Sequence, residues 1–384
     1  MRRAKLASLG NPLELEVCTG SPERVIVRFL AKDLLVAAGR LEGELKAWRL
    51  TQDRGSLEAR AIPVQPSPVR KDQEIRSVLP FPLPNEGFYL ACKFEVYEFR
   101  SNAARSEEGR SLQGRTVGPT KDRRPDAFSV LYDERHSELL VGSWRGRIRR
   151  FAGDDSPREL PPLEVPAKQG SEEPEKKPIT ALAVSHAGDL LLAAVGYPYG
   201  RDEGREDMGN SYGVYRWNYR DGDWHAGGFV LEPNSDSNGY EAARFLPNRP
   251  HLLLATRSGR LRLLDAKGGR TIGTWDHPYL GEGYTRGRGF LDLAIDPSER
   301  FALVASCETN WKKRDRGSFL LVADLTEHGR WLDPLLQDTE RSLTSARVSP
   351  DGRLLAVGLA ASRWKPKTSP GPGGWVRVYR LDRD

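Results

Sequence analysis

Three times in this chain a tryptophan stands among closely spaced cations: Trp144-Arg145-Gly146-Arg147, Trp311-Lys312-Lys313-Arg314 and Arg363-Trp364-Lys365-Pro366-Lys367. An exposed indole beside a guanidinium or ammonium suits recognition rather than bond-making. The ring is a flat apolar anchor, and the cation meets an acidic peptide, a phosphorylated partner or a single-stranded nucleic acid stacked on the ring. Tyr197, Tyr199 and Arg201 add to the set, as do Arg40 and Arg257 and the basic residues Arg70, Lys71, Lys121, Arg123, Arg124, Arg286 and Arg288. The residues expected to carry partner binding are Trp144, Arg145, Arg147, Tyr199, Arg257, Trp311, Lys312, Arg314, Trp364 and Lys365. The competing reading is that each tryptophan packs inside the fold with an Arg or Lys stem over its face.

Residues that make and break bonds are sparser. The six histidines, at 136, 186, 225, 251, 277 and 328, do not pair with Cys or Asp at a metal-ligand spacing, and His186 and His251 fall in or by turns, where a solvent-facing role is expected. No Gly-x-Ser-x-Gly elbow and no Gly-Lys-Ser/Thr phosphate loop occurs. Gly281-Glu282-Gly283-Tyr284-Thr285-Arg286-Gly287 precedes a strand-like run, not a helix, so it cannot set a phosphate on a helix N-terminus. Asp202-Glu203 and Glu206-Asp207 read as a solvated loop. No catalytic residue, metal or cofactor is expected, and the chain reads as a binding protein rather than an enzyme.

The elements that must position the aromatic-basic groups recur. Seven segments each hold a short apolar run, a turn, a second apolar run and a third: the last is Leu343–Val348, Ser349-Pro350-Asp351-Gly352, Leu354–Leu359 and, after a long loop, Trp375–Leu381. Each run is too short for a helical period and most are bounded by turn residues such as Pro-Asp-Gly or Ala-Gly-Asp, so they are strands. The middle run is almost continuously apolar, as in Leu190-Leu191-Leu192-Ala193-Ala194-Val195, which suits a strand buried on both faces. A fourth, weaker run follows in several copies, for example Thr271–Trp275 and Gly228–Leu231. Four antiparallel strands repeated radially make an all-β, seven-bladed β-propeller, in which the ring protects the sheet edges. The expected blades span 24–66, 75–118, 126–166, 178–232, 239–276, 288–337 and 342–381, as one domain over 1–384 with none appended. The last copy lacks an outer strand, and Leu13-Glu14-Leu15-Glu16-Val17 is expected to supply it and close the ring.

Two stretches resemble the WD40 repeat family. Gly259 to Trp275 (Gly-Arg-Leu-Arg-Leu-Leu-Asp-Ala-Lys-Gly-Gly-Arg-Thr-Ile-Gly-Thr-Trp) is similar to its third strand, turn and fourth strand, and Ser349 to Gly358 to its first turn and second strand. The family's Trp-Asp ending is replaced by Trp48-Arg49, Trp217-Asn218 or Ala323-Asp324 and its Gly-His pair is missing, so the resemblance does not carry over the Asp-His-Ser-Trp hydrogen-bond network of its blades. The copies are spaced nearer the kelch length, but no copy has the kelch Gly-Gly doublet after its second strand. The resemblance implies a ring whose second-to-third-strand loops and blade crossings open on one face. Three of those loops are long, 196–211, 307–317 and 360–374; the Trp-cation groups fall in the last two and in the loop at 144–147, while 196–211 carries Tyr197, Tyr199 and Arg201.

Composition narrows the partners. No stretch approaches eighteen apolar residues, which excludes a membrane-spanning helix, and Met1-Arg2-Arg3-Ala4-Lys5 is followed by no secretory apolar core. Three distant cysteines, Cys18, Cys92 and Cys307, argue for a reducing, cytoplasmic setting. The net charge of +6 is concentrated around 100–150, while 168–177 is a mixed-charge, low-complexity connection. The expected function is a non-catalytic scaffold that holds a protein partner. The rivals are a nucleic-acid reader using the same basic face and a propeller hydrolase or lactonase with a metal in its axial channel.

Overall fold

The structure is a computed structural model. It describes residues 8–9, 11–20, 24–40, 44–53, 56–65, 74–81, 87–92, 95–101, 112–117, 127–143, 146–153, 158–165, 178–195, 213–231, 240–256, 259–279, 289–307, 317–361 and 373–382. Among them all regular structure is β, and no helix is long and apolar enough to cross a membrane. Seven sheets of four antiparallel strands stand in a ring, with Val64–Gln65 added parallel to the outer strand of blade two, and the inner strand of each lies against the inner strands of both neighbours, blade seven against blade one included.

Blade one is Val25–Phe29, Leu34–Gly39, Leu45–Asp53 and Ser56–Ile62, from the axis outward. Blade four is Ile179–Val184, Leu190–Val195, Gly213–Arg220 and Asp223–Leu231, so the weak fourth run seen in its sequence is a full nine-residue strand. The second strands are buried along their whole length in blades one, two and four (Leu34–Gly39, Gly87–Cys92, Leu190–Val195), which explains their unbroken apolar sequence. Ser349-Pro350-Asp351-Gly352 forms the expected turn: the Gly352 N–H donates to the Ser349 carbonyl at 2.8 Å, and Gly352 takes φ 71°.

The core is divided into wedges, one between each pair of neighbouring blades. Leu140, Ile148 and Leu163 of blade three pack on Leu182, Leu191 and Trp217 of blade four, and equivalent sets fill the other interfaces. Trp217 and Trp275 are fully buried in such wedges.

A bulge recurs at the entry to the inner strand. In blades two, four, five, six and seven the pairing with the second strand skips one residue: Arg76, Thr180, Glu241, Leu291 or Thr344. A bulged residue is re-aimed out of the ladder, and all five of these line the axial channel. Hydroxyls at the same level stitch one blade to the next. Ser129 Oγ donates to the Ile179 carbonyl at 2.8 Å, Thr180 Oγ1 to the Tyr240 carbonyl at 2.5 Å, and Ser345 Oγ to the Val25 carbonyl at 2.8 Å.

The ring is closed by the N-terminal strand as expected. Leu13–Cys18 pairs antiparallel with Gly374–Asp382, setting Leu13 opposite Val378 and Leu15 opposite Val376, and the short strand Ser8–Leu9 continues along Leu381 and Asp382. Glu14 binds Arg341 at 2.8 Å and Arg377 at 2.9 Å, and Arg377 reaches Asp338 on the outer strand of blade six at 2.9 Å. Part of a hydrogen-bond network also exists where none was carried over from the sequence. On the crossing from blade five to blade six the buried His277 sits 2.6 Å from Ser306 Oγ on the second strand of blade six, and its Nδ1 accepts the Tyr279 N–H at 3.1 Å. With Nδ1 an acceptor, the ring proton is on Nε2 and is donated to Ser306.

Candidate functional site

The axial channel encloses a cavity of about 510 Å³ lined by the seven inner strands. Six arginines face it (Arg24, Arg28, Arg40, Arg76, Arg244, Arg347), against two carboxylates, Glu241 and Asp292. They form two tiers.

The first tier lies at the end where the crossings and the second-to-third-strand loops leave the blades. Arg24, just before blade one, crosses the channel to Glu241 of blade five at 3.0 Å, and its buried Nε has no partner among the described residues. Arg40 Nε donates to Glu74 Oε1 at 2.6 Å, and Arg76 Nη2 donates to Glu74 Oε2 at 3.2 Å. Arg76 also lies 3.8 Å over the ring of Phe128. Burial alone would raise the Glu74 carboxyl; the charges and hydrogen bonds of Arg40 and Arg76 outweigh it and hold it below the usual carboxylate range.

The second tier is nearer the opposite end, where the first and second strands turn. Arg28, Arg244 and Arg347 occupy one register position, each opposite the third residue of its second strand (Val36, Leu253 and Ala356). Each guanidinium folds back onto the carbonyl of the residue before it: Arg28 to Val27 at 2.7 Å, Arg244 to Ala243 at 2.7 Å and Arg347 to Ala346 at 2.5 Å. One carboxylate lies among them and pairs with two. Asp292 takes a fork from Arg347 at 2.6 and 2.8 Å and has Arg28 at 3.5 Å. Burial would raise its carboxyl, but the charges of Arg347 and Arg28 and the Arg347 hydrogen bond keep it lowered. Burial, then the charge of Arg347, pushes Arg244 down to about 10 and Arg28 well below the usual arginine range. In blades two, three and four the same register position holds Leu79, Leu131 and Ala183, so this level of the channel is basic on one side and apolar on the other.

Of the residues expected from sequence to bind a partner, Trp144, Arg145, Tyr199, Arg257, Trp311, Lys312, Arg314, Trp364 and Lys365 lie outside the described residues. Arg147 is described: it begins the third strand of blade three and forms an exposed 2.7 Å ion pair with Glu164. A pair this exposed adds little to stability. Arg40, expected on the loop face, is instead buried at the channel mouth with Glu74. His186 is exposed as expected, whereas His251 is only half-exposed: its Nδ1 is buried without a partner among the described residues, and burial, then Arg249, lowers its pKa. Sequence reasoning missed the second-tier arginines. The signal was present as Arg28-Phe29, Arg244-Phe245 and Arg347-Val348 near the end of the first run in three copies, visible once the copies are aligned by register.

Among the described residues no three His, Cys, Asp or Glu side chains gather as a cation site. The arginines set positive charge along the axis, which opposes a metal there. No model of a known protein family matches the sequence, and no curated protein matches it significantly.

Proposed function

We propose that this chain is a WD40-like propeller that binds without catalysing: a scaffold that holds a protein partner on the face where the crossings and long loops open. The observation that carries this reading is the closed seven-bladed ring, a rigid frame whose loops at 143–146, 196–212, 308–317 and 362–373 leave the same end of their blades. Loops on a rigid frame are where such folds carry recognition. The Trp-cation groups in those loops supply aromatic anchors and steering charge for an acidic partner surface. The WD40-like assignment is supported by four-stranded blades and by the His277–Ser306 hydrogen bond that ties the preceding crossing to blade six.

A binding role is favoured over hydrolysis by the state of the channel's acids. Asp292 has both oxygens held by Arg347, and Glu74 is engaged by Arg40 and Arg76, so these two carboxylates are poorly placed to take a proton. The buried thiols of Cys18 and Cys92, the latter pushed up by burial, support a reducing, cytoplasmic setting.

Photo-crosslinking tests the reading in cells. A crosslinking amino acid at 311 or 364 is expected to trap one protein partner in stoichiometric yield, while the same group at Lys32 or Lys267, on turns at the opposite end, traps none. Equal crosslinking from both ends would refute it. Retention that is lost steeply with salt and restored by nucleic acid would transfer the face to the nucleic-acid reading.

A further inference from the structure

The second arginine tier is out of balance. Three guanidinium groups from blades one, five and seven converge at one level of the channel, and among the described residues a single carboxylate, Asp292, compensates them. Both Asp292 oxygens are already taken by Arg347. The one hydrogen bond of Arg244 is to the adjacent Ala243 carbonyl, and no carboxylate of the described residues lies within ion-pair distance of it. Like charges held together in a half-buried site repel, and a fold that needed only packing would meet that cost with an apolar residue. Blades two, three and four show that the position accepts one, since they carry Leu79, Leu131 and Ala183 there.

The arrangement is also pre-organised. Each arginine is tethered by the same backward hydrogen bond to its preceding carbonyl, so all three forks are fixed before anything binds. With Asp292 offsetting one of the three charges, two remain, and guanidinium forks match the oxygens of a carboxylate or phosphate. The facing wall is apolar, and the cavity of about 510 Å³ is the size of a small-molecule pocket.

We propose that Arg28, Arg244 and Arg347 form a site for a small organic dianion, a phosphate monoester or a dicarboxylate, whose apolar body lies against Leu79, Leu131 and Ala183. The site is at the far end of the channel from the partner-binding loops and does not depend on that reading. An acidic tail of a protein partner is the other source of such an anion; the apolar wall facing the arginines, which an acidic tail would leave uncovered, favours the small molecule.

Calorimetric titration of the full chain tests this with phenyl phosphate and phthalate as the two dianions, inorganic phosphate as a dianion without a body, and benzyl alcohol as a body without charge. Saturable binding of phenyl phosphate or phthalate is expected, stronger than inorganic phosphate and absent for benzyl alcohol; whichever dianion binds tighter identifies the head group. Arg244→Gln is the informative variant because Arg244 makes no ion pair among the described residues that the fold would miss. It should weaken the dianion by about tenfold or more, while its melting temperature without ligand stays level or rises. Asp292→Asn removes the competing carboxylate and should tighten binding, where a purely structural arginine cluster predicts no gain. No saturable binding of either dianion to folded protein, or an Arg244→Gln variant that binds as the parent does, would overturn the proposal. So would retention only of an acidic peptide, and in each case the crosslinks from the loop face would be unaffected.

Discussion

At Gly358 the seam between blades seven and one has no room for a methyl group: a Cβ would stand 2.4 Å from the Val25 carbonyl oxygen and 2.7 Å from Ser345 Oγ. Those atoms are bonded to each other across the seam, so neither can retreat without loss. Gly358→Ala is expected to cost about 1–3 kcal/mol in a urea melt, with an unchanged slope. His277 sets a pH dependence. Burial pushes its imidazole down to about 4, whereas in the unfolded chain it titrates near 6.5. Between those values the unfolded chain holds a proton that the folded one refuses, so stability falls as pH drops from about 6.5 to about 4, by about 3 kcal/mol in all. Urea melts of the parent and of His277→Gln at pH 7 and pH 4.5 check this: the parent should lose more than the variant. Equal losses would mean that the folded imidazole titrates normally.

At the scale of the strand, the N-terminal segment makes a specific commitment. Val17 and Cys18 are fully buried between blades seven and one, and Glu14 joins Arg341 and Arg377. Deleting residues 1–20 removes this cover and opens a sheet edge; the loss of Val17 alone is worth roughly 1.5–3 kcal/mol. The truncated protein should melt lower and self-associate in sedimentation, and an unchanged, monodisperse variant would contradict the closure. The strand itself was legible, because Leu13-Glu14-Leu15-Glu16-Val17 alternates as a half-buried strand must. The second strands were legible for the opposite reason, since Leu190–Val195 is apolar throughout. What lines the axis was not. The bulges at Arg76, Thr180, Glu241, Leu291 and Thr344 shift the alternation by one, so a period-two reading assigns the channel side wrongly beyond them. Arg28 and Arg347 are moreover far apart in the chain and meet only because the ring closes. The Trp-cation loops were conspicuous in sequence for their composition, whereas the described Trp48, Trp217, Trp224 and Trp275 are core residues.

For the whole molecule, stability and partner binding should be separable if the loop face is a docking surface. Changing Trp144, Trp311 and Trp364 together to Ala should abolish capture of the crosslinked partner, each anchor being worth about 2 kcal/mol or more, and leave the melting temperature in place. Reversing charge at Arg145, Lys312 and Lys365 should slow association and alter its salt dependence. A triple-Ala protein that melts lower, beside a charge-reversed one that still binds, would assign these tryptophans to packing between blades. The closure has one more consequence, in the order of synthesis. Glu14 and its partner Arg377 are 363 residues apart. At roughly 5–20 residues per second a ribosome takes roughly 20–70 seconds to travel from one to the other. Throughout that interval the first strand and the flank of blade one, with Val25 and Val27, have nothing to cover them. The nascent protein is an open arc with a sticky leading edge until its last blade emerges, so its yield in the cell should depend on translation speed and on chaperones that shield apolar surface, more than the stability of the finished ring would suggest.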